Sequence, residues 1–330
     1  MNANELSSLL ASLSYDDKKA LFDLLQTEVR DSAISEITEK AICCPICGMV
    51  EHVVKNGKRN GLQRYMCKKC KKSFMGNTNT ILERTHKPLE TWKKFIECMT
   101  LGMPLIKTAE ICQINKNTAF AWRHKILDAL SCASAGTNLS GIVEADETFF
   151  VLSYKGQKKD LPRRAKKRAT PAKKRGLSNE QVCVPCGLDR EGNAISKIGN
   201  LGKVNIKGLS RVFSGKIRKN SVLCTDKASA YRKFSESQEL QLVQLKGGKE
   251  KLGIYHINHI NAYHSGLKTF LRHFNGVSTK YLDNYLTWNI WNSKKSTIKE
   301  KTQSMLHGIS QANIVVRFNE IGNRPNFPDI

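Results

Sequence analysis

Two acidic residues, Asp146 and Asp226, close apolar segments and carry the chemistry that the sequence singles out first. Asp146 lies within residues 141–150, GIVEADETFF, and Asp226 ends residues 221–226, SVLCTD. Short apolar runs of this kind predict buried strands. A buried carboxylate is costly unless its charge is compensated, and a bound metal ion is a common compensator. The two acids therefore predict a divalent-metal site.

Cysteines supply a second candidate metal site. Two Cys-x-x-Cys motifs are separated by about twenty residues, which is the ligand spacing of a structural zinc site, and their members are Cys44, Cys47, Cys67 and Cys70. Each motif places two thiolates on one side of a tight turn. We predict a zinc ribbon that binds structural Zn²⁺, rather than four unrelated reduced thiols. Cys43 is adjacent, but Cys44 gives the better register.

Residues 88 to about 132 have a helical pattern. Asn115 is a credible N-cap for a helix that starts at Lys116, and a short turn separates it from a preceding helix. This layout is typical of a helix-turn-helix, whose second helix enters the DNA major groove, although an ordinary helical hairpin has the same pattern. The residues expected to face outward and contact DNA are Lys116, Asn117, Arg123 and His124.

A basic segment from Lys155 to Arg175 lies between the two acids, and Pro162 and Pro171 interrupt it. Such a segment cannot bury a core, so we expect an extended loop that grips DNA phosphate. A solvated linker is the alternative. The candidate phosphate contacts are Arg163, Arg164, Lys166, Lys167 and Arg168.

The whole chain is strongly basic. Its 330 residues carry a formal net charge of +25, with a pI near 9.7. Such a charge predicts a polyanionic partner, nucleic acid before an anionic membrane. The sequence has neither an apolar run long enough to span a bilayer nor a signal-peptide layout, so we expect a cytoplasmic protein, nucleoid-associated when bound to DNA. Its eleven cysteines then indicate metal binding or buried thiols, not disulfides.

Residues 256–271 predict a helix on which Asn261, Ser265 and Lys268 share one face. His256 and His259 are interpreted as turn and DNA-facing residues, because the sequence around them offers no cysteine or acid for a metal site. A last helix is expected at 282–293, and the tail from Gln311 is expected to be loosely attached.

Residues 181–188 and 194–199 predict two further strands, and residues 205–213 predict a helix. The order of the elements is then that of an RNase H-like domain: a strand with an acid, two strands, a helix, a strand ending in an acid, and a later helix with a polar ligand. Two metal ions bound by such acids stabilise the attacking and leaving oxygens in phosphodiester transfer. Mg²⁺, or Mn²⁺, is the expected ion.

The chain resembles insertion-sequence transposases of the DDE superfamily over about residues 41 to 292. The matching motifs are Cys44-Pro45-x-Cys47-Gly48, Arg64-Tyr65-x-Cys67-x-x-Cys70, Trp122-Arg123-His124-Lys125-Ile126-Leu127, Val143-Glu144-x-Asp146-Glu147-Thr148, Thr225-Asp226-Lys227-Ala228 and His256-Ile257-Asn258-x-Ile260-Asn261 followed by Lys268. The resemblance implies that Asp146 and Asp226 are the first two metal ligands. Asn261 then replaces the third carboxylate, and Lys268 accompanies it.

Two positions depart from the family pattern or leave an alternative open. Asn261 is neutral, so the site carries less negative charge than three acids would give, and position 264 is His where an aromatic residue is expected. Asn also caps helices well, so a purely structural Asn261 remains possible on sequence grounds. Asp283 and His264 are then the next candidates for the third ligand.

We therefore expect a multidomain α+β protein. The predicted parts are an N-terminal helical segment (1–40), a zinc ribbon (41–76), a helix-turn-helix domain (77–135), an RNase H-like α/β catalytic domain (136–310) with a basic loop (155–176), and a C-terminal tail (311–330). The expected function is transposition of double-stranded DNA, ends and target, by a homo-oligomer, with a dimer on DNA favoured. The alternatives are a domesticated or decayed DNA-binding regulator and an RNase H-like nuclease without strand transfer.

Overall fold

The computed structural model describes residues 11–21, 43–59, 62–157, 161–163, 165, 176–246, 250–294 and 296–327. Most of the predicted helical segment 1–40 and most of the basic loop lie outside these ranges. The chain divides into two compact units, residues 1–93 with 306–315 and residues 94–305 with 316–330. Among the helices of the described ranges, none combines the length and apolar character needed to cross a membrane.

The first unit contains a three-stranded antiparallel sheet in the order β1-β2-β3. Its strands are β1 (Val53–Arg59), β2 (Leu62–Cys67) and β3 (Lys72–Met75). Stacking of Tyr65 on Phe74, with ring centroids 5.7 Å apart, covers one side of the sheet. Cys44 and Cys67 are buried in the same small core as Phe74.

Three helices precede the large sheet: α1 (Leu89–Thr100), α2 (Leu105–Ile111) and α3 (Lys116–Ala133). The side chain of Asn115 accepts a hydrogen bond from the Asn117 N–H at 2.8 Å, so the predicted N-cap is confirmed. The division between the two units falls within α1.

The second unit is built on a six-stranded mixed sheet. Its strands are β4 (Ile142–Val151), β5 (Gln181–Asp189), β6 (Ala194–Ser196), β7 (Asn200–Leu201), β8 (Val222–Thr225) and β9 (Gln241–Gln244). The order is β6-β5-β4-β8-β9, with β7 paired to β5. The β4, β5 and β6 pairings are antiparallel, whereas β8 runs parallel to both β4 and β9. This mixed α/β architecture was expected, and it resembles the RNase H-like fold.

Six more helices are present in the described residues, and the first four of them contact strands of the large sheet. They are α4 (Ile206–Phe213), α5 (Ser229–Ser237), α6 (Asn258–Arg272), α7 (Leu282–Ser293), α8 (Ile298–Gln311) and α9 (Phe318–Gly322), with a 3₁₀ turn at Thr279–Tyr281. Val143 and Ala145 of β4 pack with side chains of α4 and α5 in one buried core. Since side chains alternate along a strand, the residues between them face the other layer, where α6 lies.

The C-terminal tail is attached more firmly than its sequence predicts. Arg324 donates to the carboxylate of Asp128 on α3 and, at 2.8 Å, to the side-chain carbonyl of Asn284 on α7. Ile321 of α9 is fully buried. The expectation of a loose tail is therefore wrong for its described part, because these contacts come from helices distant in sequence.

Candidate functional site

Asp146 and Asp226 lie at the same edge of the large sheet. The parallel strands β4 and β8 pair through Glu144 and Cys224, and each aspartate follows its strand's member of that pair by two residues. Burial, together with the Asp226 carboxylate, raises the pKa of Asp146 to about 6. The Asp226 carboxylate therefore disfavours the charged form of Asp146, an effect that a bound cation would relieve.

Lys268 and His264 of α6 lie on the same side of the sheet as Asp146. His264 Nδ1 is 3.7 Å from Asp146 Oδ2, and the ring is buried. Lys268 is exposed, and its cation favours the charged form of Asp146. Burial and the Lys268 cation lower the pKa of His264 to about 4, so the imidazole is neutral at pH 7.

Asn261 is an exposed residue in the first turn of α6. The helix begins at Asn258 and its N-cap position is Ile257, so the interpretation of Asn261 as the helix cap is wrong. Its backbone carbonyl accepts the Ser265 hydroxyl at 3.2 Å. Asn261 precedes His264 by three residues, which places both on one face of the helix.

The residues at this edge fit a divalent cation. Carboxylates are the ligands that Mg²⁺ and Mn²⁺ prefer, and here two of them are close enough to raise the pKa of Asp146. A neutral imidazole beside Asp146 is also in the protonation state that a metal ligand needs. Lys268 is a cation that favours the charged form of Asp146, and its side chain is exposed.

Glu147 points to the opposite face of β4 from Asp146. Its Oε2 accepts the Tyr231 hydroxyl of α5 at 3.1 Å. Burial, together with the Asp146 and Asp226 carboxylates, raises the pKa of Glu147 to about 7. Glu147 therefore increases the negative potential around the two aspartates without sharing their face of the sheet.

Glu144 is a supporting residue that sequence reasoning missed. Its side chain is 1% exposed, and Oε2 accepts the backbone N–H groups of His259 and Ile260 at 2.9 and 3.0 Å. These bonds hold the first turn of α6 against β4, two residues before Asp146. The sequence shows Glu144 as an acid within an apolar strand. It does not show its hydrogen-bond partners, because His259 and Ile260 follow it by 115 and 116 residues.

The other Glu144 oxygen lies among three cationic or titratable groups. Oε1 is 2.8 Å from His259 Nδ1, 3.3 Å from His256 Nδ1 and 3.0 Å from Arg190 Nη1. The expectation that the two histidines have no acid near them is thus wrong. Their ligand atoms and that of Glu144 lie within 4.8 Å of one another, as a metal site requires. However, the Arg190 guanidinium already compensates the carboxylate, which favours a structural ion-pair cluster.

The four predicted zinc ligands come together in the first unit. The sulfur atoms of Cys44, Cys47, Cys67 and Cys70 lie within 4.8 Å of one another. Cys47 Sγ and Cys67 Sγ are 3.7 Å apart. Backbone hydrogen bonding from Cys47 is the main cause that lowers the pKa of Cys44 to about 7. Four converging thiols, one of them easily ionised, match the donor set of a tetrahedral Zn²⁺ site.

The two cysteine motifs fold in the same way. Gly48 N–H donates to Cys44 O, and Lys71 N–H donates to Cys67 O, both at 2.8 Å. Gly48 and Lys71 occupy equivalent positions, and both have a left-handed backbone, with φ of 70° and 55°. Cys70 N–H also donates to Cys67 Sγ at 3.4 Å. These matched turns aim both thiol pairs at one point.

The outward placement predicted for Arg123 and His124 is wrong. Arg123 is 1% exposed, donates to Met103 O at 2.8 Å, and lies 4.8 Å over the Trp288 ring. His124 is fully buried between Phe120 and Tyr281. Helix α7 and the 3₁₀ turn cover this face of α3, so neither residue is available to DNA.

The other predicted DNA-contact residues differ in their exposure and in whether the structure describes them. Lys116 and Asn117 are exposed in the first turn of α3, as predicted. Arg163 donates to Leu152 O at 2.8 Å, and its guanidinium lies 5.1 Å from the Tyr154 ring centroid. The remaining loop residues, Arg164, Lys166, Lys167 and Arg168, lie outside the described residues.

Comparisons with known proteins identify a family. The family model of the ISXO2-like transposase domain matches residues 138–312, which include both aspartates, Asn261 and Lys268. An uncharacterised protein of transposable element ISH50 from Halobacterium salinarum is 24% identical over 250 residues, covering 74% of this chain and 83% of that protein.

Solved structures give a weaker comparison. The pre-cleavage Mos1 transpososome aligns with 13% identity and a TM-score of 0.21, covering 69% of this chain and 82% of that chain. The Mos1 strand transfer complex aligns with 15% identity and a TM-score of 0.26, covering 70% and 78%. Similarity at these TM-scores carries no argument about the site.

Proposed function

The chain belongs to the ISXO2-like transposase family, and on this premise we propose that it is a DNA transposase that binds the ends of an insertion sequence, cleaves a strand and joins the freed 3′ hydroxyl to target DNA. The observation that carries the proposal is the position of Asp146 and Asp226, each two residues after the pair Glu144 and Cys224 that joins the parallel strands β4 and β8. The family match includes both residues.

The catalytic residues in this proposal are Asp146, Asp226, Asn261 and Lys268. A divalent ion, Mg²⁺ or Mn²⁺, would supply Lewis-acid activation at the scissile phosphate. The two carboxylates would hold it, and the amide oxygen of Asn261 offers a neutral ligand from the exposed face of α6. Lys268, whose cation already acts on Asp146, would offset phosphate charge as it develops.

DNA binding in this proposal is distributed over the basic chain. The net charge of +25 supports a polyanionic partner. Zn²⁺ held by Cys44, Cys47, Cys67 and Cys70 would stabilise a ribbon domain. Only the first turn of α3, with Lys116 and Asn117, presents the polar face expected of a helix-turn-helix. We propose a homodimer on DNA, with the site of action at the nucleoid in the cytoplasm.

The test is cleavage and joining of DNA that carries the terminal inverted repeats flanking the gene. We expect Asp146→Ala and Asp226→Ala each to reduce both steps by about a hundredfold or more, while end binding changes little. Glu239→Ala is the matched control, because this carboxylate pairs with Lys219 on the surface. Strand transfer by either aspartate variant at a tenth of the unmutated rate removes that residue from the site.

The same assay separates the alternative functions. A DNA-binding regulator binds the ends but cleaves nothing with Mg²⁺ or Mn²⁺. A nuclease without strand transfer produces cut ends and no joined product. Joined product that depends on both aspartates supports the transposase and excludes the other two.

A further inference from the structure

His264 occupies an unusual place for a histidine. It is 7% exposed, and its Nδ1 lies 3.7 Å from Asp146 Oδ2. Its Nε2 is buried and, within the part of the chain that the structure describes, has no hydrogen-bond partner. A buried polar atom without a partner costs about 1–3 kcal/mol. An aromatic hydrocarbon ring, which the family pattern favours here, would fill this space without that cost.

Neither of the usual roles for a buried histidine accounts for this arrangement. The 3.7 Å separation from Asp146 exceeds hydrogen-bond length, so the carboxylate does not satisfy the ring. A ring that only fills space in the core needs no nitrogen beside a carboxylate and no buried Nε2 without a partner. What remains is an imidazole nitrogen donor next to a carboxylate.

The distance suits a shared metal ion. Ligand atoms bind Mg²⁺ or Mn²⁺ at about 2.1 Å, so two atoms on one ion can be up to about 4.2 Å apart. His264 Nδ1 and Asp146 Oδ2, at 3.7 Å, fall within this limit.

Resting on the proposed function, we propose that His264 is a direct ligand of the divalent ion held by Asp146, and that it gives the site a preference for Mn²⁺ over Mg²⁺. Imidazole nitrogen is a better ligand for transition ions than for Mg²⁺, which selects oxygen. The other candidate, Asp283, has a structural partner instead, because its Oδ1 accepts the Ile198 N–H at 2.8 Å.

The test is Mn²⁺ binding to the full chain, with pulsed electron paramagnetic resonance to detect nitrogen bound to the ion. We expect a directly coordinated nitrogen in the unmutated protein and its loss in His264→Phe. Mn²⁺ affinity should fall by about tenfold or more, because loss of a residue that only supports a metal ligand already weakens metal binding by about tenfold. Mg²⁺ affinity should fall less. His273→Phe is the matched control, since this exposed histidine lies at the C-terminus of the same helix.

A second measurement needs no substitution. Replacing histidine nitrogen with ¹⁵N in the unmutated chain should change the nitrogen coupling, so the test survives if His264→Phe fails to fold. Asp146→Ala should abolish the coupling, which separates this site from the Glu144 cluster, where His256 and His259 lie. A coupling that persists in Asp146→Ala or His264→Phe overturns the proposal.

Failure of this inference differs from failure of the proposed function. Mn²⁺ bound at Asp146 and Asp226 without a coordinated nitrogen overturns only the role of His264. If Mn²⁺ binding is unaffected by both aspartate substitutions, the metal site of the proposed function is itself wrong.

Discussion

At the scale of single residues, Asp146 and Glu147 make the large sheet sensitive to pH. Burial raises their pKa values from 3.8 to about 6 and from 4.5 to about 7. Because a raised pKa in the folded state favours the protonated form, the stabilisation is fully present below about pH 4 and is lost as pH rises to about 7. For Asp146 this shift lowers the free energy of unfolding by about 2–3 kcal/mol between low and neutral pH.

Asp146→Asn should therefore raise the Tm at pH 7.5 without added divalent ions, and it should flatten the loss of stability between pH 4 and 7. Adding Mg²⁺ or Mn²⁺ should raise the Tm of the unmutated protein and leave the variant nearly unchanged. Thermal unfolding measured across this pH range, with and without the ion, checks both effects. A lower Tm for the variant at pH 7.5 would contradict the burial argument.

Glu144 stabilises the first turn of α6 rather than taking part in chemistry. Glu144→Gln removes a buried charge that faces Arg190 at 3.0 Å. We expect a loss of about 3 kcal/mol in the free energy of unfolding, the low end for breaking a buried ion pair, because Arg190 is partly exposed. Hydrogen exchange of the His259 and Ile260 amides should accelerate, since both donate to this carboxylate.

A matched control for this prediction is Glu239→Gln, which removes an exposed carboxylate 3.1 Å from Lys219. Exposed pairs contribute little, so urea unfolding should be almost unchanged. Unaltered amide exchange at His259 and Ile260 in Glu144→Gln would show that α6 does not depend on this carboxylate.

At the scale of elements, the four converging thiols predict that the three-stranded sheet depends on Zn²⁺ for its folding. Cys67→Ser should lower the zinc content well below the expected value of about one ion per chain. It should also unfold the three-stranded sheet, because metal binding and folding are coupled in small metal domains. Cys43→Ser is the control, since Cys43 is exposed beside the first motif and outside the cluster. Elemental analysis and limited proteolysis of both variants measure the result. A zinc-free Cys67→Ser protein with an intact N-terminal sheet contradicts it.

Local elements could be predicted from sequence, whereas burial often could not. Helix α7 has the bounds predicted for it, 282–293, because its periodic pattern is local. Asp226 follows β8 as expected for the same reason, whereas the strand expected to end at Asp146 continues to Val151. Arg123 and His124 were misjudged because the rings that cover them, such as Trp288 and Tyr281, lie about 160 residues later in the chain. The partners of Glu144 were hidden in the same way.

At the scale of the whole molecule, a net charge of +25 makes DNA affinity a strong function of salt. Each phosphate contact releases counterions, so the logarithm of the binding constant falls by about 0.9 per contact for each unit of log salt. The sequence places much of this charge in the loop between Lys155 and Arg175. If that loop grips phosphate, its lysines and arginines should contribute to the slope. If it is a solvated linker, they should not.

The double substitution of Lys166 and Lys167 by Ala tests this directly. We expect the magnitude of the salt slope to fall by about 1.8, which is two phosphate contacts, with little change in thermal stability. Arg218→Ala with Lys219→Ala is the control of equal charge: these residues precede β8, at the opposite end of the strand from Asp226. The slope is measured from DNA-end binding between about 50 and 200 mM salt. Equal changes in the two double variants would mean that only net charge matters, and that the loop makes no phosphate contacts of its own.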